Sequence, residues 1–344
     1  MKALVLEEYN KFVWKDVETP FYGEEDVLIR VKACAVCGSD VHGMDGSTGR
    51  RIPPVIMGHE AAGIIEKCGS RVEGFSPGDR VTFDSTIYCG VCEECKNRRY
   101  NLCDNRRVLG VSCKEYRMNG AFAEYVVVPA RVLYHLPENV SYVQASMIEP
   151  LSVAYHAVTR TAVPENGCAV IFGVGTIGML TLQVLKAFNV KTVIAVDISS
   201  ERLNMALKFG ADAVVNALER DVTEQIMKLT PDGEGAHACY DATGNSATLN
   251  NSLKVLRKGG AEILIGNLDA KTEFPLQWVV TRQISIFGSC ASAGEYGQCI
   301  ELISSAKVNV DALISKVVPM SEGHEWITRV YRREGGLSKI ILEL

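Results

Sequence analysis

The sequence predicts an α/β protein that combines a β-rich part with a doubly wound parallel sheet. Residues 1 to about 150 hold short apolar or alternating runs, interrupted by Gly and Pro, such as EDVLIRVKACAV, AAGIIEKCG, DRVTF and AEYVVVP. From about residue 165, strand and helix patterns alternate, which is typical of a parallel sheet with helices on both faces. A chain of 344 residues is long enough for two domains.

The alternating half contains a series of strand and helix patterns. CAVIF (168–172) predicts a buried strand, and TIGMLTLQVLKAF (176–188) has the apolar periodicity of a helix. VKTVIAVD (190–197) predicts the next strand, and SSERLNMALKFG (199–210) predicts a helix with a Ser cap and a terminal Gly. Further strands are predicted at 212–215, 238–244, 261–266 and 284–289, with helices between most of them.

The last part of the chain departs from this alternation. After about residue 290 the patterns predict two helices, near 295–306 and 320–333, and then a strand at 339–344. The pattern alone does not assign this tail to either half.

Composition and charge disfavour several classes of protein. Hydrophobic residues make up 47% and charged residues 22% of the chain, which is ordinary for a soluble globular protein. The net charge of −5 disfavours nucleic acid or an anionic membrane as the main partner. The N-terminal MKALVLEEYN lacks the features of a signal peptide, and no run is long enough to span a membrane. We expect a cytoplasmic protein whose cysteines are thiols or metal ligands.

Four of the twelve cysteines fall in one short segment, CGVCEECKNRRYNLC, at Cys89, Cys92, Cys95 and Cys103. Such spacing allows one loop to surround a tetrahedral Zn²⁺ with four thiolates. The spacings differ from those of iron–sulfur clusters, and a redox C-x-x-C pair does not need four thiols. Because four thiolates leave no open position on the metal, we expect a structural zinc in a lobe at about 85–105. Unligated cysteines are the alternative.

The strand CAVIF leads directly into the loop GVGTIG, which places a G-x-G-x-x-G pattern between a strand and a helix. Gly173 permits the turn, Gly175 lets the backbone approach a pyrophosphate, and Gly178 allows the helix to pack closely on the strand. The pattern is the established fingerprint of dinucleotide binding, and the residues between its last two glycines are Thr176 and Ile177.

Asp197 ends the second predicted strand, 22 residues after Gly175. A carboxylate at this place accepts hydrogen bonds from a ribose hydroxyl and repels a 2′-phosphate, so we expect NAD rather than NADP. Arg202 is close enough in sequence to favour NADP instead, although a solvated helix residue is the simpler interpretation.

Three further segments, CAVCGSDVHG, GHEAAG and IEPLSVAYHA, contain Cys37, His59, Glu60 and Glu149. Sulfur, nitrogen and oxygen donors together suit zinc. Each residue also has an ordinary interpretation: a buried cysteine, a core histidine or a carboxylate at a helix start. Positions so far apart cannot be joined by spacing alone.

Taken together, the motifs resemble those of the zinc-dependent medium-chain alcohol and polyol dehydrogenases over essentially the whole chain. Cys37-Gly38-Ser39-Asp40, and then Gly58-His59-Glu60 with Gly63 and Gly69, are similar to the two zinc signatures of that family. The four-cysteine segment and GVGTIG follow in the family's order. EPLSVAYHA resembles the sorbitol (L-iditol) dehydrogenase branch in particular.

The resemblance implies a GroES-like catalytic domain from residues 1–150 and 290–344, and a Rossmann NAD-binding domain from 151–289. It implies a catalytic zinc held by Cys37, His59 and a glutamate. Glu149 occupies the position of the family's third ligand, whereas Glu60 exchanges with water or substrate, so Glu149 is preferred as the resting ligand.

The resemblance also implies the chemistry: hydride transfer between NAD and a secondary alcohol, most often a polyol that becomes a ketose. Zinc with an open position acts as a Lewis acid that lowers the pKa of a bound hydroxyl. Ser39 and His42 match the family's proton relay, although a loop serine and a surface histidine are their ordinary interpretations. Family members are commonly dimers or tetramers, and we expect a homotetramer.

Several alternatives stay open. Within the family these are a sugar-alcohol-phosphate dehydrogenase, a threonine-type amino-alcohol dehydrogenase and a zinc-free reductase. Arg50 and Arg51 could hold an anionic substrate group or form an ordinary solvated loop. Outside the family, a zinc-ribbon-like nucleic-acid module and a non-catalytic NAD sensor are the other candidates, and the acidic charge opposes the first.

Overall fold

The computed structural model describes residues 1–113, 116–219 and 221–344, and the chain divides into two compact units. One unit comprises residues 1–149 and 292–344, and the other comprises residues 150–291. Among the described residues there is no helix with the length and apolar character needed to span a bilayer.

The first unit begins with a run of short strands around the long strand β3. Val27, Ile29 and Val31 lie on one face of β3 and are buried, Arg30 on the other face is exposed, and the strand is fully buried from Ala33 to Ala35. The strands of this part are β1 (Lys2–Glu8), β2 (Lys11–Asp16), β3 (Asp26–Ala35), β4 (Val55–Ile56), β5 (Glu60–Cys68), β6 (Arg80–Phe83), β7 (Thr86–Ile87), β8 (Arg107–Val108), β9 (Tyr125–Pro129) and β10 (Leu133–His135).

The helices of this part are short: α1 (Gly38–Gly43), α2 (Glu93–Lys96), α3 (Tyr142–Ala145) and the start of α4 (Ile148–Thr159).

β3 pairs antiparallel with β5, in a register that places Ala35 opposite Glu60. The end of β3 and the start of β5 therefore lie side by side, and the residues just beyond them come close together.

The second unit is a doubly wound sheet of six parallel strands, as the alternating pattern predicts. The strand order is β13-β12-β11-β14-β15-β16, and the direction of winding reverses between β11 and β14. Its strands are β11 (Cys168–Phe172), β12 (Thr192–Asp197), β13 (Ala213–Asn216), β14 (Ala236–Asp241), β15 (Leu256–Leu264) and β16 (Ser285–Gly288). Its helices are α5 (Thr176–Ala187), α6 (Ser200–Lys208), α7 (Val222–Leu229), α8 (Ser246–Val255) and α9 (Leu276–Thr281).

The tail contains the predicted helices, α10 (Tyr296–Ser304) and α11 (Gly323–Tyr331), and the predicted strand β18 (Lys339–Glu343). A further strand between them, β17 (Ile314–Pro319), is not predicted from the sequence because only Val318 of its residues is buried. β18 pairs antiparallel with the end of β3 and parallel with β17. The tail thus completes the sheet β10-β6-β5-β3-β18-β17, with β9 also paired to β3.

Candidate active site

The structure brings together Cys37, His59 and Glu60, which we call the mixed donor group. One donor atom from each residue lies within 4.8 Å of the other two. Cys37 caps α1 directly after β3, and His59 precedes β5, which begins at Glu60. The sheet register brings these two chain segments side by side, which spacing in the sequence could not show. A thiolate, an imidazole and a carboxylate are a donor set that suits zinc and leaves a fourth position open.

Asp40 lies directly behind this group and is fully buried. Its Oδ1 faces Nδ1 of His59 at 3.5 Å and accepts a hydrogen bond from Nη2 of Arg51 at 3.1 Å. Burial by itself raises the pKa of Asp40, but the charges of His59 and Arg51 outweigh it and lower the pKa to about 2. Asp40 is therefore ionised and orients the imidazole ring, as carboxylates commonly do behind metal-bound histidines.

A buried lysine faces the third donor of the group. Nζ of Lys339 donates to Oε2 of Glu60 at 2.6 Å and to the carbonyl of Val36 at 3.2 Å. Both side chains of the ion pair are almost wholly buried. Burial by itself lowers the pKa of Lys339, but the negative charge of Glu60 outweighs it and the pKa is raised. The lysine thus holds one oxygen of Glu60, which leaves the other oxygen for a metal.

Glu149 lies outside the mixed donor group, although it is near enough to share its electrostatics. Burial raises the pKa of Glu149 to about 7; the positive charge of His59 opposes this shift, and the negative charge of Glu60 adds to it. The structure thus brings Glu60, rather than Glu149, within 4.8 Å of the cysteine and histidine donors. The sequence-based preference for Glu149 as the resting ligand gains no support from this arrangement.

Ser39 and His42 both lie on α1, next to the mixed donor group. Ser39 is exposed; its backbone N–H donates to Sγ of Cys37 at 3.4 Å, and its Oγ accepts from Nη2 of Arg51 at 3.2 Å. His42 is exposed in the last turn of α1. The serine is therefore fixed beside the donors, while the histidine lies on the open side of the helix.

The four-cysteine group (Cys89, Cys92, Cys95 and Cys103) also comes together, with its sulfur atoms within 4.8 Å of one another. The backbone N–H groups of Val91 and Cys92 donate to Sγ of Cys89 and lower the pKa of this thiol to about 6. Burial raises the pKa of Cys95 to about 12. Full ionisation of such a cluster needs a compensating cation, and four thiolates suit a closed zinc site.

The glycine loop has the geometry that a dinucleotide requires. Gly173 has a φ of +83°, a conformation that side chains disfavour. A Cβ at Gly178 would lie 2.0 Å from the carbonyl oxygen of Gly173, so only glycine fits where the helix meets the strand. A Cβ at Gly175 would meet nothing within 4 Å, which leaves open space above the N-terminus of α5 for a pyrophosphate. Thr176 and Ile177 form the first turn of α5.

Asp197 ends β12, as predicted, and its carboxylate helps to shape the loop. Oδ2 accepts from the backbone N–H of Val174 at 2.9 Å, and Oδ1 accepts from that of Ser199 at 2.9 Å. Nη1 of Arg202 lies 3.9 Å from Oδ2. The aspartate is thus held beside the loop, and the arginine stays within reach of the same place.

Two charged residues of the site were not identified as such from the sequence. Lys339 directly precedes the apolar run Ile340–Leu342 of β18, and a lysine next to such a run is a signal that could have indicated a buried ion pair. For Arg51, the sequence left two interpretations open, an anion-binding residue and a solvated loop residue, and the second is wrong because the residue is only 3% exposed.

Comparison with known proteins identifies the family. The model described as "Alcohol dehydrogenase GroES-like domain" matches residues 23–138, and "Zinc-binding dehydrogenase" matches residues 176–305. The chain is 32% identical to the sorbitol dehydrogenase of Bacillus subtilis (strain 168), over 99% of this chain and 97% of that protein. It is 33% identical to the D-arabitol-phosphate dehydrogenase of Enterococcus avium, over 97% and 94%.

A solved alcohol dehydrogenase from Escherichia coli CFT073, complexed with NADH, shares the fold with a TM-score of 0.92 and 29% identity, over 100% of this chain and 99% of that one. The chain therefore belongs to the zinc-dependent medium-chain alcohol and polyol dehydrogenases, which confirms the resemblance and the fold class predicted from the sequence. It is an oxidoreductase with zinc and NAD as cofactors, and it transfers a hydride between NAD and a secondary alcohol.

Proposed function

We propose that this enzyme oxidises a polyol to a ketose, with the mixed donor group holding the catalytic zinc. The observation that carries the proposal is the meeting of Cys37, His59 and Glu60 within 4.8 Å. Zinc bound there would supply a Lewis acid that lowers the pKa of the substrate hydroxyl. With one thiolate and one carboxylate, the zinc in this group is a harder Lewis acid than zinc with two thiolates. A harder metal is compatible with a substrate that carries several hydroxyl groups.

Glu60 is the resting ligand in this proposal, and Glu149 is its exchanging partner. The distance within the mixed donor group supports Glu60, and the hydrogen bond from Lys339 supports a carboxylate with one oxygen free. The pKa of Glu149, raised to about 7, suits a group that takes up and gives back a proton near neutral pH. This assignment reverses the preference drawn from the sequence alone.

Ser39 accepts the proton of the substrate hydroxyl and passes its own proton on, and His42 carries the proton outward. Ser39 and His42 are both exposed residues of α1, and the backbone N–H of Ser39 donates to Sγ of Cys37, which supports these roles. Proton transfer through positioned side chains is worth about 10²- to 10⁴-fold in rate.

The four-cysteine group holds the second, structural zinc and takes no part in the reaction. Its closed set of four sulfur donors supports this role. Asp197 selects NAD over NADP, since it lies beside the glycine loop where the ribose binds in this type of fold.

The substrate class is tested by following NAD reduction over three panels: polyols, sugar-alcohol phosphates and amino alcohols. We expect the highest kcat/KM among unphosphorylated polyols. Higher values with phosphates would establish the sugar-alcohol-phosphate alternative, which the similarity to an arabitol-phosphate dehydrogenase keeps as the second candidate. Alcohol oxidation that persists in the variant His59→Ala would exclude a mechanism that depends on zinc at this group.

We also infer a cytoplasmic homo-oligomer, with a tetramer expected and a dimer as the alternative. β16 is the edge strand of its sheet, and the apolar side chains of Leu276, Val280 and Ile286 are exposed on or near it. Such an edge is a natural place for association. The reducing cytoplasm would keep the cysteine donors as thiols. Light scattering of the purified protein measures the oligomeric state, and Ile286→Lys is expected to lower the mass.

A further inference from the structure

Arg51 is a buried cation next to the mixed donor group. Arg51 is only 3% exposed, whereas its neighbour Arg50 is exposed to solvent. A buried guanidinium is costly unless it is paired, so its partners indicate why the fold keeps it there.

One nitrogen of the Arg51 guanidinium bridges two residues of α1. Nη2 donates to Oδ1 of Asp40 at 3.1 Å and to Oγ of Ser39 at 3.2 Å. The ion pair with Asp40 would by itself compensate the buried charge. The second hydrogen bond is an additional feature, and it reaches the serine to which the proposed function gives the proton transfer.

The stem of Arg51 is positioned as firmly as its head. A Cβ at Gly43, the last residue of α1, would lie 2.5 Å from Cγ of Arg51, so the glycine makes room for this side chain. The backbone on both sides is tied to Ser112, whose N–H donates to the carbonyl of Arg50 at 3.1 Å and whose Oγ accepts from the N–H of Ile52. The guanidinium therefore meets Ser39 from a fixed direction.

A hydroxyl group that relays a proton must accept one proton and donate another. The N–H of Arg51 fills one lone pair of the Ser39 oxygen, which leaves the second lone pair for the substrate hydroxyl and the serine O–H for donation onward. A cationic donor on the oxygen also makes the serine O–H a stronger donor. Without Arg51, the serine hydroxyl could turn its hydrogen towards the substrate oxygen and block the transfer.

We propose that Arg51 is a positioning residue of the proton relay, which acts by orienting Ser39. The inference rests on the proposed function, because it assumes that Ser39 takes the substrate proton. It gives Arg51 a role other than the two that the sequence left open, an anion-binding residue or a solvated loop residue.

The test is a double-mutant cycle of Arg51→Gln and Ser39→Ala, with Arg50→Gln as the matched control. Each variant is assayed for kcat, KM and the solvent deuterium isotope effect on kcat with the best polyol of the panel. Zinc content and NADH binding are measured on the same preparations. Arg51→Lys, which keeps a positive charge for Asp40, is the second variant if removing the charge impairs folding.

We expect Arg51→Gln to retain zinc and NADH binding and to lower kcat about 10- to 100-fold, the range for one charge-assisted hydrogen bond. KM should change much less than kcat, and the solvent isotope effect should rise because proton transfer becomes slower. In the Ser39→Ala background, Arg51→Gln should lower kcat by less than about twofold, since the residue through which it acts is gone. Arg50→Gln should resemble the wild type.

Three outcomes would overturn the inference, and they can be told apart. Equal losses with and without Ser39, at an unchanged isotope effect, would make Arg51 purely structural. A rise in KM confined to phosphorylated substrates would make it an anion-binding residue. A wild-type enzyme inactive with every alcohol panel would overturn the proposed function itself, and the inference with it.

Discussion

The two glutamates near the metal donors differ in ways that a single experiment separates. Glu60→Gln replaces the carboxylate donor of the mixed donor group by a neutral amide and leaves the buried Lys339 without its counter-charge, so zinc affinity and stability should both fall. Glu149→Gln should retain zinc and lose turnover. Zinc content and kcat on the same preparations decide the matter. Glu66→Gln, on the same strand but in an exposed pair with Arg30, should change neither.

Glu149→Gln with zinc lost and Glu60→Gln with zinc retained would restore the preference drawn from the sequence. The two outcomes exclude each other, since only one carboxylate can be the resting ligand.

Asp197 supplies the second prediction at the scale of single residues. Asp197→Ala removes the ribose acceptor and the charge that repels a 2′-phosphate, so the ratio of kcat/KM for NAD over NADP should fall by about tenfold or more. The loss of the bond from Val174 should also weaken NADH binding. Glu201→Gln, an exposed change on α6, serves as the control. A wild-type enzyme that prefers NADP would contradict the assignment.

At the scale of elements, the two donor groups should fail in different ways. Cys92→Ser should lower the thermal midpoint or the soluble yield, because binding of a structural zinc is coupled to folding. The activity of each folded molecule should change less. His59→Ala should leave the fold and NADH binding intact and lower kcat by several orders of magnitude. Cys113→Ser, a partly buried cysteine outside both groups, is the control.

If Cys92→Ser abolished turnover while the protein stayed folded and stable, the separation between a structural and a catalytic group would be wrong. Circular dichroism and NADH fluorescence on the same samples distinguish these cases.

Asp84, just after β6, gives the protein a pH-dependent stability. It is buried, its Oδ2 has no hydrogen-bond partner among the described residues, and burial raises its pKa to about 8. Because the folded state favours the protonated acid, its contribution is complete below the unfolded pKa near 4 and is lost as the pH rises towards 8. Asp84→Asn should therefore gain stability over the wild type across this window, by at most about 1.4 kcal/mol per pH unit.

Urea unfolding at pH 5, 7 and 8.5 measures this difference. The amide oxygen of an asparagine can still accept the hydrogen bond from the backbone N–H of Thr86, so the variant should fold. The exposed Glu138→Gln is the control. A stability difference that is independent of pH would show that Asp84 is charged in the folded protein.

The helices and strands also show which parts of the fold can be predicted from the sequence and which cannot. β11 is predicted to the residue because it is buried on both faces. α6 is predicted at its N-terminus, where Ser199 accepts a hydrogen bond from the backbone, but it ends at Lys208, two residues before the predicted terminal Gly. β17 carries no such signal, since most of its residues are exposed. The ion pairs behind the metal donors join residues 11 and 279 positions apart, so they depend on tertiary contacts that local patterns do not encode.

For the whole molecule, we predict two zinc ions per chain. The four-cysteine group and the mixed donor group are independent sets of ligands on different segments. Metal analysis of the purified protein should give close to two, with His59→Ala losing one and Cys95→Ala losing the other. A single zinc that survives Cys37→Ala but is lost with Cys95→Ala would refute the catalytic site.

Lys339, the cation that faces Glu60, is synthesised late. Glu60 begins β5 and Lys339 begins β18, and all of residues 150–291 are synthesised between them. Since a chain leaves the ribosome N-terminal end first, β5 and β3 exist long before β18 can pair with them. During that interval the last residues of β3 form an open sheet edge, and the carboxylate of Glu60 has no lysine beside it. The order of translation therefore requires the second unit to be made before the first can close around its metal donors.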